Sequence, residues 1–336
     1  MPIKSFNTSQ RMSNVQLPII PIVSNLIKKN PGTISLGQGV VYYGPPQKVF
    51  DAITQLNYPP DYHVYSEVEG ISNLRSIIIE KLLCENKINL NNKSDLIVSA
   101  GSNMAFMNAV MAITDPGDEI ILLRPYYFNH EMAVNMISCN AIIVDTKSNY
   151  QPCLDKIMNA ITPLTKAVVT VSPNNPSGAV YNATALQEIN KLCKEKGIYH
   201  ISDEAYEYFT YGEIEHFSPG SISNSNEYTI SLYSLSKAYG FASWRIGYMV
   251  IPEHLSLSVK KAQDTYLICP TRIAQEAAIT ALEIGCDYTK SHLNQIENTR
   301  NKLYAELQSI NNICTVPLTM GAFYFLIKLN TTLTGM

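Results

Sequence analysis

Residues Thr229–Gly247 read TISLYSLSKAYGFASWRIG. The stretch opens as a short apolar strand, with Ile230, Leu232 and Leu235 as its apolar positions. It then breaks into Ser234, Ser236 and Lys237, and reaches Arg245 eight residues later. A lysine at a strand end, flanked by hydroxyls and followed by an arginine, has two chemical uses. Its amine can condense with an aldehyde cofactor, while the hydroxyls and the guanidinium hold that cofactor's phosphate. A solvated lysine at the start of a loop fits the same spacing. Partners elsewhere in the chain have to separate these readings.

Moving outward from this stretch, apolar runs alternate with helical patterns. Strands are expected at Leu96–Ser99, Ile120–Leu123 and Ala141–Val144, in TKAVVTV from 165, in the run opening at 198, and at Ile246–Ile251. A loop turning into a helix is expected over 100–114, and helices near 131–138 and over 185–197, the last closed by Gly197. In YHVYSEVEGISNLRSIIIEKLL (62–83), Ile71, Leu74, Ile78 and Leu82 give a helical stripe. Strands separated by helices imply βαβ units and an α/β fold: a mostly parallel sheet sandwiched by helices. A polar helix over 287–309 and a strand over 321–329 read as the start of an incomplete small α/β domain. The expected division is 1–45 for an N-terminal arm and small-domain contribution, 46–280 for the large domain and 281–336 for the incomplete one. Pro18 and Pro21 are expected to forbid a regular helix across residues 18–21.

In such sheets ligands sit beyond the carboxyl ends of the strands. The segments there are Gly101–Asn103, Pro125–His130, Pro173–Gly178, Asp203–Tyr206 and Ser234–Lys237, and the unusual polar residues concentrate in them. Asp203, directly after an apolar strand, needs a cation such as a protonated pyridine nitrogen; it also suits a helix N-cap. Tyr206 and Asn175 can bond one phenolate oxygen. Gly101, Ser102 and Asn103 precede a helix and offer an anion site. Tyr127, on a loop past a strand, can stack on a flat cofactor ring or simply pack in the core or at the surface. Gly37 and Gly39 begin a GxG, but Tyr42 stands where a third glycine belongs, so a turn or a close-approach loop is expected there instead of a nucleotide site.

Bulk properties narrow the class. The chain has 336 residues, 46% hydrophobic and 16% charged, which permits a sizeable core. A net charge of −3 with scattered Lys and Arg argues against a nucleic-acid surface. The seven cysteines show no CxxC or Cys/His spacing and read as reduced, buried thiols of a cytoplasmic protein without a metal site. No apolar run approaches the length of a membrane span, and no signal peptide is evident.

The stretches ISLGQG, YSEVEGISNLR, SAGSNMAF, DPGDEIILLRPYY, SPNNPSG, ISDEAYEYF, SLSKAYGFASWRIGY and GAFYF occur in this order along nearly the whole chain. In that combination the chain resembles the class I/II pyridoxal-5′-phosphate (PLP) aminotransferases of the aspartate-aminotransferase fold. The resemblance implies that Lys237 is the Schiff-base lysine, that Asp203 partners the pyridine nitrogen, and that Tyr206 and Asn175 bond the phenolate oxygen. It implies a stacking role for Tyr127 and a phosphate cup of Ser102, Asn103, Ser234, Ser236 and Arg245, with Gly101 beside it. Tyr65 is implied to reach the phosphate from a neighbouring subunit, which makes a homodimer, and Gly39 to lie near the substrate carboxylate. An L-amino acid and a 2-oxo acid are the implied substrates, within amino-acid metabolism. A PLP-dependent lyase or aminocyclopropane-carboxylate-type synthase shares this constellation, and so does a PLP-binding chain without turnover. The chain stops at Met336 before a counterpart of the family's late carboxylate-binding arginine, so either a truncated chain or a site without that clamp is expected. Gln263 falls where aspartate-specific members carry a side-chain-binding arginine, which puts dicarboxylate specificity by that route in doubt.

Overall fold

The computed structural model describes residues 6–37, 39–56 and 58–332. Seven strands form one sheet: β1 (Ser94–Ser99), β2 (Glu119–Arg124), β3 (Asn140–Asp145), β4 (Thr165–Val171), β5 (Tyr199–Asp203), β6 (Thr229–Ser234) and β7 (Gly247–Pro252). Their spatial order is β1-β7-β6-β5-β4-β2-β3. The pairs from β6 through β5, β4 and β2 to β3 are parallel, while β7 runs antiparallel to both β1 and β6. The mostly parallel α/β sheet is therefore as expected from the alternating pattern.

Helices cover both faces, so the central strands are buried nearly throughout. β6 is buried along Thr229–Tyr233, Ser231 included, and does not alternate between core and solvent. This is the pattern of a parallel sheet enclosed on both sides. One face packs on the helices Ser102–Ile113 and Ser256–Tyr266, around Phe106, Val110, Leu232 and Met249. The other packs on Ala183–Lys196 around Val168, Ile189 and Cys193. That helix ends at Gly197 in the left-handed conformation (φ 66°), as expected. The stripe Leu74, Ile78 and Leu82 lies fully buried on the helix Ser72–Cys84.

Five expectations need correction. Residues Ile19–Lys29 are helical, with Pro18 as N-cap and Pro21 in the first turn. First-turn N–H groups have no intrahelical acceptor, so proline costs little there. Leu235 belongs to no strand; it begins a four-residue helix, Leu235–Ala238, and Ser234 Oγ accepts from Ser236 N at 3.2 Å as its cap. The strand expected over 321–329 shrinks to Lys328–Leu329, paired with Cys314–Thr315, plus a bridge from Thr210 to Gly321. Gln263 is fully buried on its helix and gives its amide hydrogens to the carbonyls of Val68 (2.5 Å) and Val98 (2.9 Å). It cannot meet a substrate, so its identity says nothing about dicarboxylates. All seven cysteines are unpaired; Cys139, Cys193 and Cys314 are buried, but Cys84 is exposed. Among the described residues no helix is long and apolar enough to cross a membrane, and no group of metal-ligating side chains forms.

Candidate active site

Parallel pairing sets Val171, Asp203 and Leu232 side by side near the carboxyl ends of β4, β5 and β6. Antiparallel β7 begins at the same edge, with Gly247 opposite both Ser99 and Ser234. The loops leaving this edge enclose a cavity of about 280 Å³. Its walls include Gly39, Ser102, Asn103, Tyr127, Asn175, Asp203, Tyr206, Ser234, Ser236, Lys237 and Arg245. Eleven residues from stretches spread over some 200 positions thus converge on one space. Gly101 lies just behind the wall. Tyr65 does not join it: the residue is 77% exposed at the protein surface.

Lys237 reaches into the cavity from the short helix after β6. Burial, with Arg245 as a second cationic neighbour, pushes its amine down from 10.5 to about 8, against the opposing pull of Asp203. The Nζ atom donates to the Gly39 carbonyl at 2.5 Å and lies 5.8 Å from the centre of the Tyr206 ring. Arg245 holds a left-handed φ of 54°, unusual for a side chain of this size, and is tied to the Ala242 carbonyl at 3.0 Å and the Ala100 carbonyl at 3.4 Å. Gly101, with φ 83° and ψ 165°, caps the helix Ser102–Ile113. A Cβ there would meet the Arg245 guanidinium at 2.5 Å, so glycine lets the guanidinium lie against the helix start.

Asp203 is nearly buried, and its Oδ1 accepts from Ala205 N at 3.1 Å. Its Oδ2 lies 3.1 Å from His130 Nε2. His130 is itself buried, stacks on Phe106 at 4.0 Å, and leaves Nδ1 without a partner. Burial raises the Tyr127 phenol, and Asn129 Nδ2 donates to it at 2.7 Å. Asn175 Nδ2 points at the Tyr206 hydroxyl at 3.4 Å, and Tyr324 OH lies 2.5 Å from that same hydroxyl.

His130 and Tyr324 were not singled out by sequence. His130 stood within a strand-end segment, RPYYFNH, and Tyr324 within GAFYF, but neither spacing showed what it would touch. The close approach expected at Gly39 is present: a Cβ there would overlap the Tyr324 hydroxyl.

A parallel α/β sheet with a buried amine, a carboxylate and a guanidinium-lined helix start at its carboxyl edge is the arrangement of PLP enzymes of the aspartate-aminotransferase fold. Residues 31–333 match the family model described as aminotransferase class I and II. The chain belongs to that family and is a PLP-dependent aminotransferase. Among its relatives, the aromatic aminotransferase ISS1 of Arabidopsis thaliana is 32% identical over 329 residues, spanning 96% of this chain and 81% of the relative. A probable aspartate/prephenate aminotransferase of Aquifex aeolicus is 36% identical over 265 residues, 77% of this chain and 67% of the relative. The solved structure of aspartate aminotransferase from Thermus thermophilus with maleate superposes with a TM-score of 0.89 at 29% identity, covering 96% of this chain and 85% of that one.

The cavity fits this cofactor by its own geometry. A neutralisable amine, a carboxylate and a guanidinium beside a helix start share one cavity, and Gly101 leaves the guanidinium room there, where a Cβ would press against it.

Proposed function

We propose that this aminotransferase takes a large apolar or aromatic L-amino acid as donor and a 2-oxo acid as acceptor. The observation that carries the reading is the cavity's lining. Apart from Lys237 and Arg245 it contains no cationic side chain among the described residues, while Ile20, Val40, Phe128 and Tyr324 give it an apolar side. An acidic donor side chain would need a further cation there. The name of the Arabidopsis relative points the same way.

When bound, the cofactor supplies an aldehyde for an amine and an electron sink for the electrons released at a substrate α-carbon. In this reading Lys237 would hold it covalently and, once displaced by the substrate amine, carry the proton to and from the α-carbon. An amine with a pKa of about 8 suits that shuttle near neutral pH. Asp203, steadied by His130, would keep the ring nitrogen protonated. Tyr206 and Asn175 would face the phenolic oxygen, and Tyr127 would stack on the ring. The helix start at Ser102 and Asn103, together with Ser234, Ser236 and Arg245, would hold the phosphate, with Gly101 making room. Gly39 and Asn175 would border the substrate carboxylate.

A homodimer belongs to the same proposal. Tyr65 stands exposed outside its own cavity, and the helix Ile19–Lys29 buries no side chain while exposing Ile19, Ile20, Ile22 and Leu26. A second copy would cover that face and present its Tyr65 to this site. Cytoplasmic placement is proposed from the unpaired cysteines. The domain boundaries in this proposal fall at residues 45 and 280.

The test is a half-reaction screen on the PLP-loaded protein. L-phenylalanine or L-tyrosine should bleach the visible cofactor band, and a 2-oxo acid should restore it. Bleaching by L-aspartate alone would overturn the donor assignment. Release of ammonia and pyruvate without bleaching would overturn transamination.

A further inference from the structure

We propose that Tyr324 is a positioning residue for the reaction: its hydroxyl donates to Tyr206 and thereby strengthens the hydrogen bond that Tyr206 makes to the cofactor's phenolic oxygen. The inference rests on the reading of Tyr206 given above.

The geometry is a chain of three groups. The two phenol oxygens are 2.5 Å apart, and Tyr324 presses its hydroxyl against the backbone of Gly39. A phenol has one proton to give. If Tyr206 spends that proton on the cofactor, its oxygen must accept, so Tyr324 is the donor in the pair. Burial holds both phenols protonated: Tyr206 is raised well above 10 by burial, with Tyr324 as the next cause, and Tyr324 is raised to about 12, again by burial. Asn175 Nδ2, at 3.4 Å, is the weaker second donor to the Tyr206 oxygen. Hydrogen bonds in series polarise one another, so a donor behind Tyr206 makes it a better donor ahead.

Tyr324 is held in place by backbone, not by its own ring alone. Gly321 N donates to the Gly178 carbonyl, and Ala322 N to the Phe209 carbonyl, each at 2.8 Å, and Tyr211 N donates to the Met320 carbonyl at 3.0 Å. The Tyr211 hydroxyl also donates to the Ala322 carbonyl. These bonds dock the 320–322 segment onto the turn that carries Tyr206. Gly39 completes the arrangement, because any larger residue there displaces the Tyr324 hydroxyl. Behind the ring lies a second and mostly apolar cavity of about 400 Å³, bordered by Val40 and Tyr324.

The test is a spectrophotometric pH titration of the PLP-loaded protein, read as the apparent pKa of the lysine-linked cofactor. A donor to the phenolic oxygen makes that oxygen less basic and lets the linkage lose its proton at lower pH. Tyr206→Phe should therefore raise the apparent pKa. Tyr324→Phe should raise it too, by about 0.2 to 0.6 pH units, the scale of one cooperative increment on a charge-assisted bond. Gly39→Ala should reproduce that rise by displacement. In a Tyr206→Phe background, Tyr324→Phe should produce no further change. A Tyr324→Phe titration matching the wild type while Tyr206→Phe moves, or a Tyr324→Phe effect that persists without the Tyr206 hydroxyl, would overturn the proposal. No movement with Tyr206→Phe would instead remove the underlying reading of Tyr206, and the relay with it.

Discussion

His130 Nε2 lies 3.1 Å from Asp203 Oδ2, and both side chains are buried at the carboxyl edge of the sheet. The imidazole is clamped between Phe106, stacked at 4.0 Å, and the edge of Tyr127 at 5.3 Å. The pairing fixes the direction in which the carboxylate faces. Its other oxygen is fixed by Ala205 N. The ring that steadies the acid is thus itself steadied by aromatic packing, and the acid needs no substrate to be in place.

Replacing His130 should therefore act through Asp203. His130→Ala leaves one carboxylate oxygen buried without its donor, at a cost of about 1–3 kcal/mol. The expected result is a fall in kcat of roughly tenfold or more, with a weaker cofactor complex. His130→Asn, which keeps a donor, should recover part of both. Equal values for the wild type and the alanine variant in stopped-flow half-reactions would show that Asp203 holds its orientation unaided.

The depressed Lys237 amine gives two pH dependences of defined sign. With a pKa of about 8, roughly a tenth of the amine is neutral at pH 7, against less than about a thousandth for an ordinary lysine. The rate at which cofactor-free protein captures PLP should rise about tenfold from pH 7 to pH 9 and then level off. Stability moves in the same direction. The folded amine releases its proton near pH 8, whereas the unfolded chain keeps it to about 10.5. Between those values the unfolded state binds more protons, so folding becomes more favourable as pH rises. The ceiling is about 3 kcal/mol, less the bond to the Gly39 carbonyl. Cofactor-free Lys237→Met should be more stable than wild type by about 2 kcal/mol at pH 7, with the gap closed by about pH 10.5 in urea titrations.

Gly101 offers a test of the phosphate corner that leaves every charged group intact. Its φ of 83° and ψ of 165° lie where only glycine is comfortable, and alanine there costs on the order of 1–3 kcal/mol in strain. Its Cβ would also push the Arg245 guanidinium aside. Gly101→Ala should weaken PLP binding about tenfold to a hundredfold. Binding of pyridoxal, which has no phosphate, should change far less. Equal losses for both compounds in fluorescence titrations would assign the effect to general destabilisation.

The legible part of this molecule was the part where chemistry sits close to a strand end. Asp203 and Ser234 close apolar strands, Lys237 and Ser102 follow their strand ends by three residues, and the strand pairing brings those ends together without further information. His130 and Tyr324 escaped because their partners are set by packing between distant segments. Tyr206 and Tyr324 are 118 positions apart, and only the docking of 320–322 onto 209–211 joins them. The helix through Pro21 was missed for a local reason: a first-turn proline resembles a breaker until the helix start is known. The strand expected over 321–329 failed because its apolar residues pack around Tyr206 and Phe209 as rings, not as a ladder.

The turn bearing Tyr206 rests on a buried ion pair. Lys81 Nζ lies 2.5 Å from Glu207 Oε2 and 2.7 Å from Asn86 Oδ1, beneath the rings of Tyr208 and Tyr233. Asn86 Nδ2 bonds both Glu207 and Ser218, at 2.8 and 2.9 Å. The side chains of Lys81 and Glu207 are only 6% and 10% exposed, so little water reaches either charge; without Glu207, Lys81 keeps Asn86 and the more distant Glu85 Oε2 at 3.7 Å. Glu207→Ala should cost about 3 kcal/mol in stability, the low end for breaking a buried pair, because Glu85 stays beside Lys81. It should also slow the half-reaction, because Glu207 is the residue after Tyr206. The double variant Lys81→Met, Glu207→Leu removes both charges and keeps the volume, so it should regain most of the stability lost by Glu207→Ala. If the double variant is instead as unstable as the sum of the two single changes, the pair acts through packing and the Asn86 network, not through its charges.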